Sequence, residues 1–143
     1  MKLATIGYER RTLPELIERL KAADIDMLVD VRAVAASRRA GFSKTMLAAS
    51  LREAGIDYVH LRALGTPKEG RMAARAGRFD EMREIFERQL EEPAAQLELL
   101  RAAEIVQDRK AALLCVEADV SHCHRAIVAD RICDAIGCEI ENL

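Results

Sequence analysis

The sequence predicts an α/β domain: one three-layer unit over residues 1–143, with a mainly parallel sheet flanked by helices. Three observations predict it. Short apolar runs without polar alternation recur along the chain, as in strands buried on both faces. Stretches with helical spacing stand between them, and strand–helix alternation argues for parallel pairing. The chemically rich residues fall at the C-terminal ends of the runs, where open α/β sheets place their ligands.

The elements follow in order. "KLATIG" (2–7) is a short apolar run closed by glycine and reads as a buried strand. Thr12 can cap a helix carrying Leu13, Leu16, Ile17 and Leu20 on one face, with Pro14 and Glu15 in its first turn. "IDMLVDVR" (25–32) is a second strand, and "AVAASRRAGF" a loop. Ser43 opens a helix with Met46, Leu47 and Leu51 on its stripe, and Gly55 closes it. "IDYVHL" (56–61) is a third strand. The Gly-rich, basic stretch 65–78 reads as a connection, either a lid or binding loop or a mobile link. Helical spacing returns from Phe79 to Leu90 and again after Pro93. "KAALLCVE" (110–117) is a fourth strand, 122–136 a helix, and "CEIENL" a last strand.

Composition narrows the class. Half of the 143 residues are apolar and 32% are charged, the balance of a globular protein that buries a core. The start of the chain reads as a strand rather than a secretory signal, and no apolar run approaches the ~20 residues that span a bilayer. All four cysteines lie in the last 29 residues, so a spread disulfide framework is excluded. They read as reduced thiols in a cytoplasmic protein. Net charge is only −2, yet residues 32–78 carry +7 and residues 79–108 carry −6. The basic segment points to an anionic partner.

The densest chemistry lies in "LLCVEADVSHCHRAIVADRI" (113–132). Cys115 ends a strand, Ser121 can cap the following helix, and His122, Cys123, His124 and Arg125 occupy its first turn. A helix N-terminus binds anions and lowers thiol pKa values, and Arg125 adds a bidentate fork. Cys115 or Cys123 can serve as a thiolate nucleophile, His122 or His124 as its base, and Glu117 as an acid–base group. A metal is the less favoured reading. Structural zinc uses paired Cys and His spacings that are not found here, so no cofactor is assigned, zinc being the first candidate were one present. Asp30, Arg32, Arg38 and Arg39 form a second constellation that converges either on an anion or on itself as an ion-pair network. Thr5, Gly7 and Tyr8 close the first strand, with the glycine permitting a close backbone approach. Cys133 and Cys138 receive no role.

Four segments, "TIGYERRT", "LVDVRAVAASRRAGFSK", "YVHLRALGTPK" and "LLCVEADVSHCHRAIVAD", together resemble the bacterial and archaeal family called domain of unknown function 488. The matching positions are Thr5, Gly7, Asp30, Arg32, Ser37, Phe42, Leu64, Gly65, Cys115, Glu117, Cys123, His124 and Arg125. The resemblance implies an α/β fold and site positions but no reaction. The chain departs from the family at Tyr8, Glu9 and Arg10, where the family usually reads His-Ser-Asn or His-Thr-Asn. "LVDVR" is similar, more loosely, to a strand of rhodanese-type sulfurtransferases, whose strand–Cys–loop–Arg layout cysteine phosphatases share. Neither cysteine here has the spacing to Arg125 that makes their tight cradle of backbone N–H groups.

The expectation is an enzyme acting on a phosphorylated or other anionic small molecule or nucleotide. Cys115, Glu117, Cys123 and His124 would do the chemistry; Thr5, Gly7, Tyr8, Asp30, Arg32, Arg38, Arg39 and Arg125 would bind the ligand. The alternative is a non-catalytic nucleic-acid-binding module using the basic segment 32–78, whose affinity would fall steeply with salt. Neither reading needs a membrane, and the oligomeric state is not legible.

Overall fold

A computed structural model describes residues 1–143. Strands β1 (Lys2–Gly7), β2 (Met27–Asp30), β3 (Asp57–His60), β4 (Ala111–Cys115) and β5 (Glu139–Asn142) form one sheet in the order β3-β2-β4-β1-β5. Every pairing is parallel. The helices are α1 (Leu13–Ala22), α2 (Lys44–Glu53), α3 (Lys68–Arg75), α4 (Phe79–Leu90), α5 (Pro93–Asp108) and α6 (Arg125–Ile136). The α/β class and all five expected strands are present, and no helix is long and apolar enough to cross a membrane.

Successive strand residues point to opposite faces, and both faces are covered. Leu3, Val29 and Leu113 pack with Phe86, Ala102, Val128 and Ile132 of α4, α5 and α6. Ala4, Ile6, Leu28 and Leu114 pack with Leu16, Leu20, Leu47 and Leu51 of α1 and α2. This is why the strands read as continuous apolar runs. It also places the site. β1 and β2 hand the chain to helices on one face, whereas β4, between them, hands it to α6 on the other. The carboxyl end of β4 is therefore a topological switch point, the place where a crevice opens in such sheets.

Local chemistry explains the boundaries. Thr12 and Glu15 form a reciprocal capping box at α1. Ser43 precedes α2, but its hydroxyl is used elsewhere: it accepts from the Ser37 N–H and donates to the Ser37 carbonyl, closing the 37–43 loop. Gly137, with φ +74°, ends α6 in the left-handed conformation.

Three expectations are corrected. The stretch 65–78 is not simply a loop, because it contains α3. Gly70 looks like a loop marker but serves close packing, since a Cβ there would sit 2.4 Å from the Thr66 methyl. The last helix starts at Arg125 rather than at residue 122. Residues Val120–His122 form a separate 3₁₀ turn, and Ser121, expected as a cap, itself donates N–H and hydroxyl to Asp119. The four cysteines are not all thiols either. The turn at Gly137 returns the chain so that Cys138 is bonded to Cys133, leaving Cys115 and Cys123 free.

Phe86 is fully buried and meets the His124 ring edge-on at 5.0 Å between centroids. Phe86→Ala is expected to cost about 3–5 kcal/mol in urea unfolding.

Candidate active site at the end of strand β4

Cys115 closes β4 opposite Gly7 of β1. On the other side, the Val31 N–H donates to the Leu114 carbonyl at 3.1 Å. The chain then crosses β1 so closely that a Cβ on Gly7 would lie 1.9 Å from the Glu117 carbonyl oxygen, so only glycine fits. Arg125 donates to the carbonyls of Glu117 and Ala118, and Glu9 accepts the Ala118 N–H at 3.1 Å. The loop from β4 to α6 is thus tied at both sides. It delivers Cys115, Glu117, Cys123 and His124 to one point.

His124 is the centre of that cluster. Its Nε2 lies 2.7 Å from the Val31 carbonyl oxygen. A carbonyl only accepts, so Nε2 carries a proton and donates it. Nδ1 therefore faces the sulfurs, 3.6 Å from Cys115 Sγ and 3.7 Å from Cys123 Sγ. Glu117 Oε2 is 3.5 Å from Cys115 Sγ.

Charge in this dry cluster is shared unequally. The Cys115 thiol is pushed well above the ordinary thiol range by its hydrogen bond to the Cys123 sulfur, by burial, and by the negative charges of Cys123 and Glu117. Burial works against a Cys123 thiolate too, but the Cys115 hydrogen bond and the charge of His124 outweigh it and hold Cys123 well below that range. Burial opposes a charged His124, while the Cys123 charge and the hydrogen bonds to Cys123 and Val31 more than offset it and raise the imidazole. Burial and the Cys123 charge raise Glu117. These directions favour a thiolate at Cys123 paired with an imidazolium at His124, and a protonated Cys115 and Glu117 beside them.

The cluster lines a cavity of about 610 Å³. Tyr8, Glu9, Arg32, Thr66 and Val116 line it as well, and α3 contributes Arg71 and Arg75 while α4 contributes Phe79 and Met82. His122, expected as an alternative base, instead stacks on Phe79 with ring centroids 4.1 Å apart and lies 3.6 Å from Asp119.

The expected ligand-binding residues divide. Tyr8 and Arg32 reach the cavity; Thr5, Gly7, Asp30, Arg38, Arg39 and Arg125 do not line it. Arg32 is largely committed. Its Nε and Nη2 grip both oxygens of Asp30 at 2.9 and 2.7 Å, and its Nη1 donates to the Phe42 carbonyl at 2.8 Å and to the Tyr8 hydroxyl at 3.3 Å. Asp30 also accepts from the Tyr58 hydroxyl, which, with burial, pushes the phenol up. Of the alternatives for Asp30 and Arg32, the ion-pair network is the one formed. Arg39 donates to the carbonyls of Tyr8 and Arg11. Arg38 is exposed. Thr5 is buried and donates to the Asn142 side chain at 2.6 Å. His60, at the end of β3, donates to the Arg32 carbonyl at 2.7 Å.

Sequence reasoning missed Arg71, Arg75, Phe79 and Met82 as wall residues. Arg71 and Arg75 are four apart on α3 and so share a face, a spacing visible in the sequence once the stretch is read as a helix. Arg71 donates to the Thr66 carbonyl at 2.8 Å through one nitrogen.

A family model described as domain of unknown function DUF488 matches residues 12–132. The chain belongs to that family. The DUF488 match begins after the Tyr8-Glu9-Arg10 segment, and its span contains Cys115, Glu117, Cys123, His124 and Arg125. Comparison with curated proteins and with solved structures found no match.

Two outcomes follow. Arg32→Ala leaves Asp30 charged, buried and unpaired, and is expected to cost about 3–5 kcal/mol in denaturant unfolding, whereas Arg38→Ala stays within about 0.5 kcal/mol. In metal-free protein, iodoacetamide should alkylate Cys123 before Cys115. Because the Cys123 pKa is lowered, its reactivity persists well below the pH at which an ordinary thiol loses its own, and fades only as pH falls through that lowered value. Cys115 stays a thiol until pH passes well above the ordinary thiol range. Peptide mass spectrometry reads each rate.

Proposed function

We propose that this DUF488 chain is an enzyme acting on a phosphorylated or otherwise anionic small molecule in the cavity at the end of β4. The observation that carries the reading is that one cavity is lined both by the Cys115, Glu117, Cys123 and His124 cluster and by Arg71 and Arg75. A buried group of thiols, imidazole and carboxyl with shifted proton affinities is what group-transfer chemistry uses. It is open to a space large enough for a small molecule.

The charges of the cavity support an anionic end on the ligand. Glu9 and Asp119 also line it, but both are occupied, Glu9 by the Ala118 N–H and Asp119 by Ser121. Arg32 is balanced by Asp30. The Arg71 nitrogens not bound to Thr66, and Arg75, are left to meet an anion. Guanidinium forks suit phosphate and carboxylate. Tyr8 contributes by position: its ring stacks on Phe42, and its hydroxyl meets Arg32, so it is a wall rather than a proton donor in motion.

The nucleic-acid alternative has less behind it. Of the basic residues in 32–78, Arg32 is buried and Arg39 spends its guanidinium on backbone carbonyls.

Binding of inorganic phosphate, followed by calorimetry, tests the reading. Arg71→Ala with Arg75→Ala is expected to weaken phosphate on the order of 100-fold, two charge-assisted contacts being lost, while Arg38→Ala binds as the native protein does. Unchanged affinity in the double variant would contradict the assignment. In a screen of chromogenic phosphate and carboxylate esters, Glu117→Gln should slow any turnover found by about 10²–10⁴-fold.

A further inference from the structure

Cys115, Cys123 and His124 are all buried, and their ligand atoms lie within 4.8 Å of one another. The His124 Nδ1 to sulfur distances are 3.6 and 3.7 Å. A tetrahedral zinc bound by thiolate at about 2.3 Å and by imidazole at about 2.0 Å holds those donor atoms about 3.5 Å apart. Both nitrogen-to-sulfur distances already have that spacing, and the two sulfurs lie within 4.8 Å of each other. The remaining ring nitrogen donates to the Val31 carbonyl, the outer contact by which metal-binding histidines are oriented. Cys133 and Cys138 are bonded to each other and cannot compete as ligands. The ligand spacing in sequence, Cys-x7-Cys-His, concealed the set, because β4 and the start of α6 meet only through the fold.

The geometry points to a zinc site held by Cys115 Sγ, Cys123 Sγ and His124 Nδ1, with its fourth position open to the cavity beside Glu117. Two thiolates and an imidazole favour zinc over the harder divalent ions. Three protein ligands with one open position is the pattern of a catalytic rather than a structural site.

The inference deepens the reading above and rests on it for the substrate class. Zinc at this position would lower the pKa of a bound water to about 7 and so supply a nucleophile. Glu117 takes the proton of that water as its oxygen bonds to the carbonyl carbon or phosphorus of the anionic substrate. The bond to the leaving group breaks, and Glu117 returns the proton to it. One water is consumed, and no oxidant or other reactant is needed.

The test uses the full chain, stripped with chelator and then supplied with zinc alone. Elemental mass spectrometry counts the metal, and competition with a chromogenic chelator gives its affinity. One zinc per chain is expected. Cys123→Ser and His124→Ala should weaken binding on the order of 100-fold or more, and Glu117→Gln should keep it. Cobalt in the native chain should give a thiolate-to-metal charge-transfer band, a readout that does not depend on any variant folding. Failure to hold zinc against the chelator, affinity unchanged in folded Cys123→Ser and His124→Ala, or a cobalt spectrum without that band would overturn the site. Phosphate binding is measured separately. Zinc lost with phosphate retained removes this inference only, and phosphate lost with zinc retained removes only the anionic-substrate reading.

Discussion

The hydrogen bond from His124 Nε2 to the Val31 carbonyl fixes the chemistry of this protein more than any other contact. It joins the chain just after β2 to the residue that opens α6. Both partners are buried, so leaving either unsatisfied is costly. The bond settles which ring nitrogen is protonated and aims the other at two sulfurs. Phe86 holds the ring edge from α4, so the imidazole has little freedom. An ordinary histidine is thereby turned into a directed group, facing a cavity from the floor of a rigid sheet.

Around that bond the arginines do scaffold work. Arg125 would make a plausible anion clamp at a helix start, but its guanidinium is turned back onto the Glu117 and Ala118 carbonyls. Arg32 secures Asp30 and the Phe42 carbonyl and so fixes the loop beyond β2. These contacts keep Glu117, Cys115 and Val31 in register with one another. Two further arginines that line the cavity, Arg71 and Arg75, come from another element, α3. The commitment of Arg32 and Arg125 has a physical consequence: a guanidinium that closes a buried loop has few N–H groups left for a ligand.

Most of the fold was legible because both faces of the sheet are covered. Runs such as Leu28-Val29 and Leu113-Leu114 could hardly be anything but buried strands, and Thr12-Leu13-Pro14-Glu15 announces a helix start by its own chemistry. The cluster positions were legible too, since strand ends are where such sheets do their work. What stayed hidden needed three dimensions. α3 was masked by Gly70 and Gly77, one used for close packing and the other for a positive φ. The Cys133–Cys138 bond depends on the reversal at Gly137, and the identity of the arginines that meet solvent depends on which carbonyls lie within their reach. The convergence of both free cysteines on one nitrogen of His124 has no signature in linear spacing.

The most direct measurement is the nitrogen NMR spectrum of the His124 imidazole across the pH range in which the protein stays folded. The account predicts that Nε2 keeps its proton throughout, donated to Val31, while Nδ1 changes with pH or with added zinc. A neutral ring protonated on Nδ1 with Nε2 bare would contradict it. The bare nitrogen would then face the Val31 carbonyl, which can only accept, and the sulfurs would meet an N–H rather than a ligand atom, so the metal site could not stand as described.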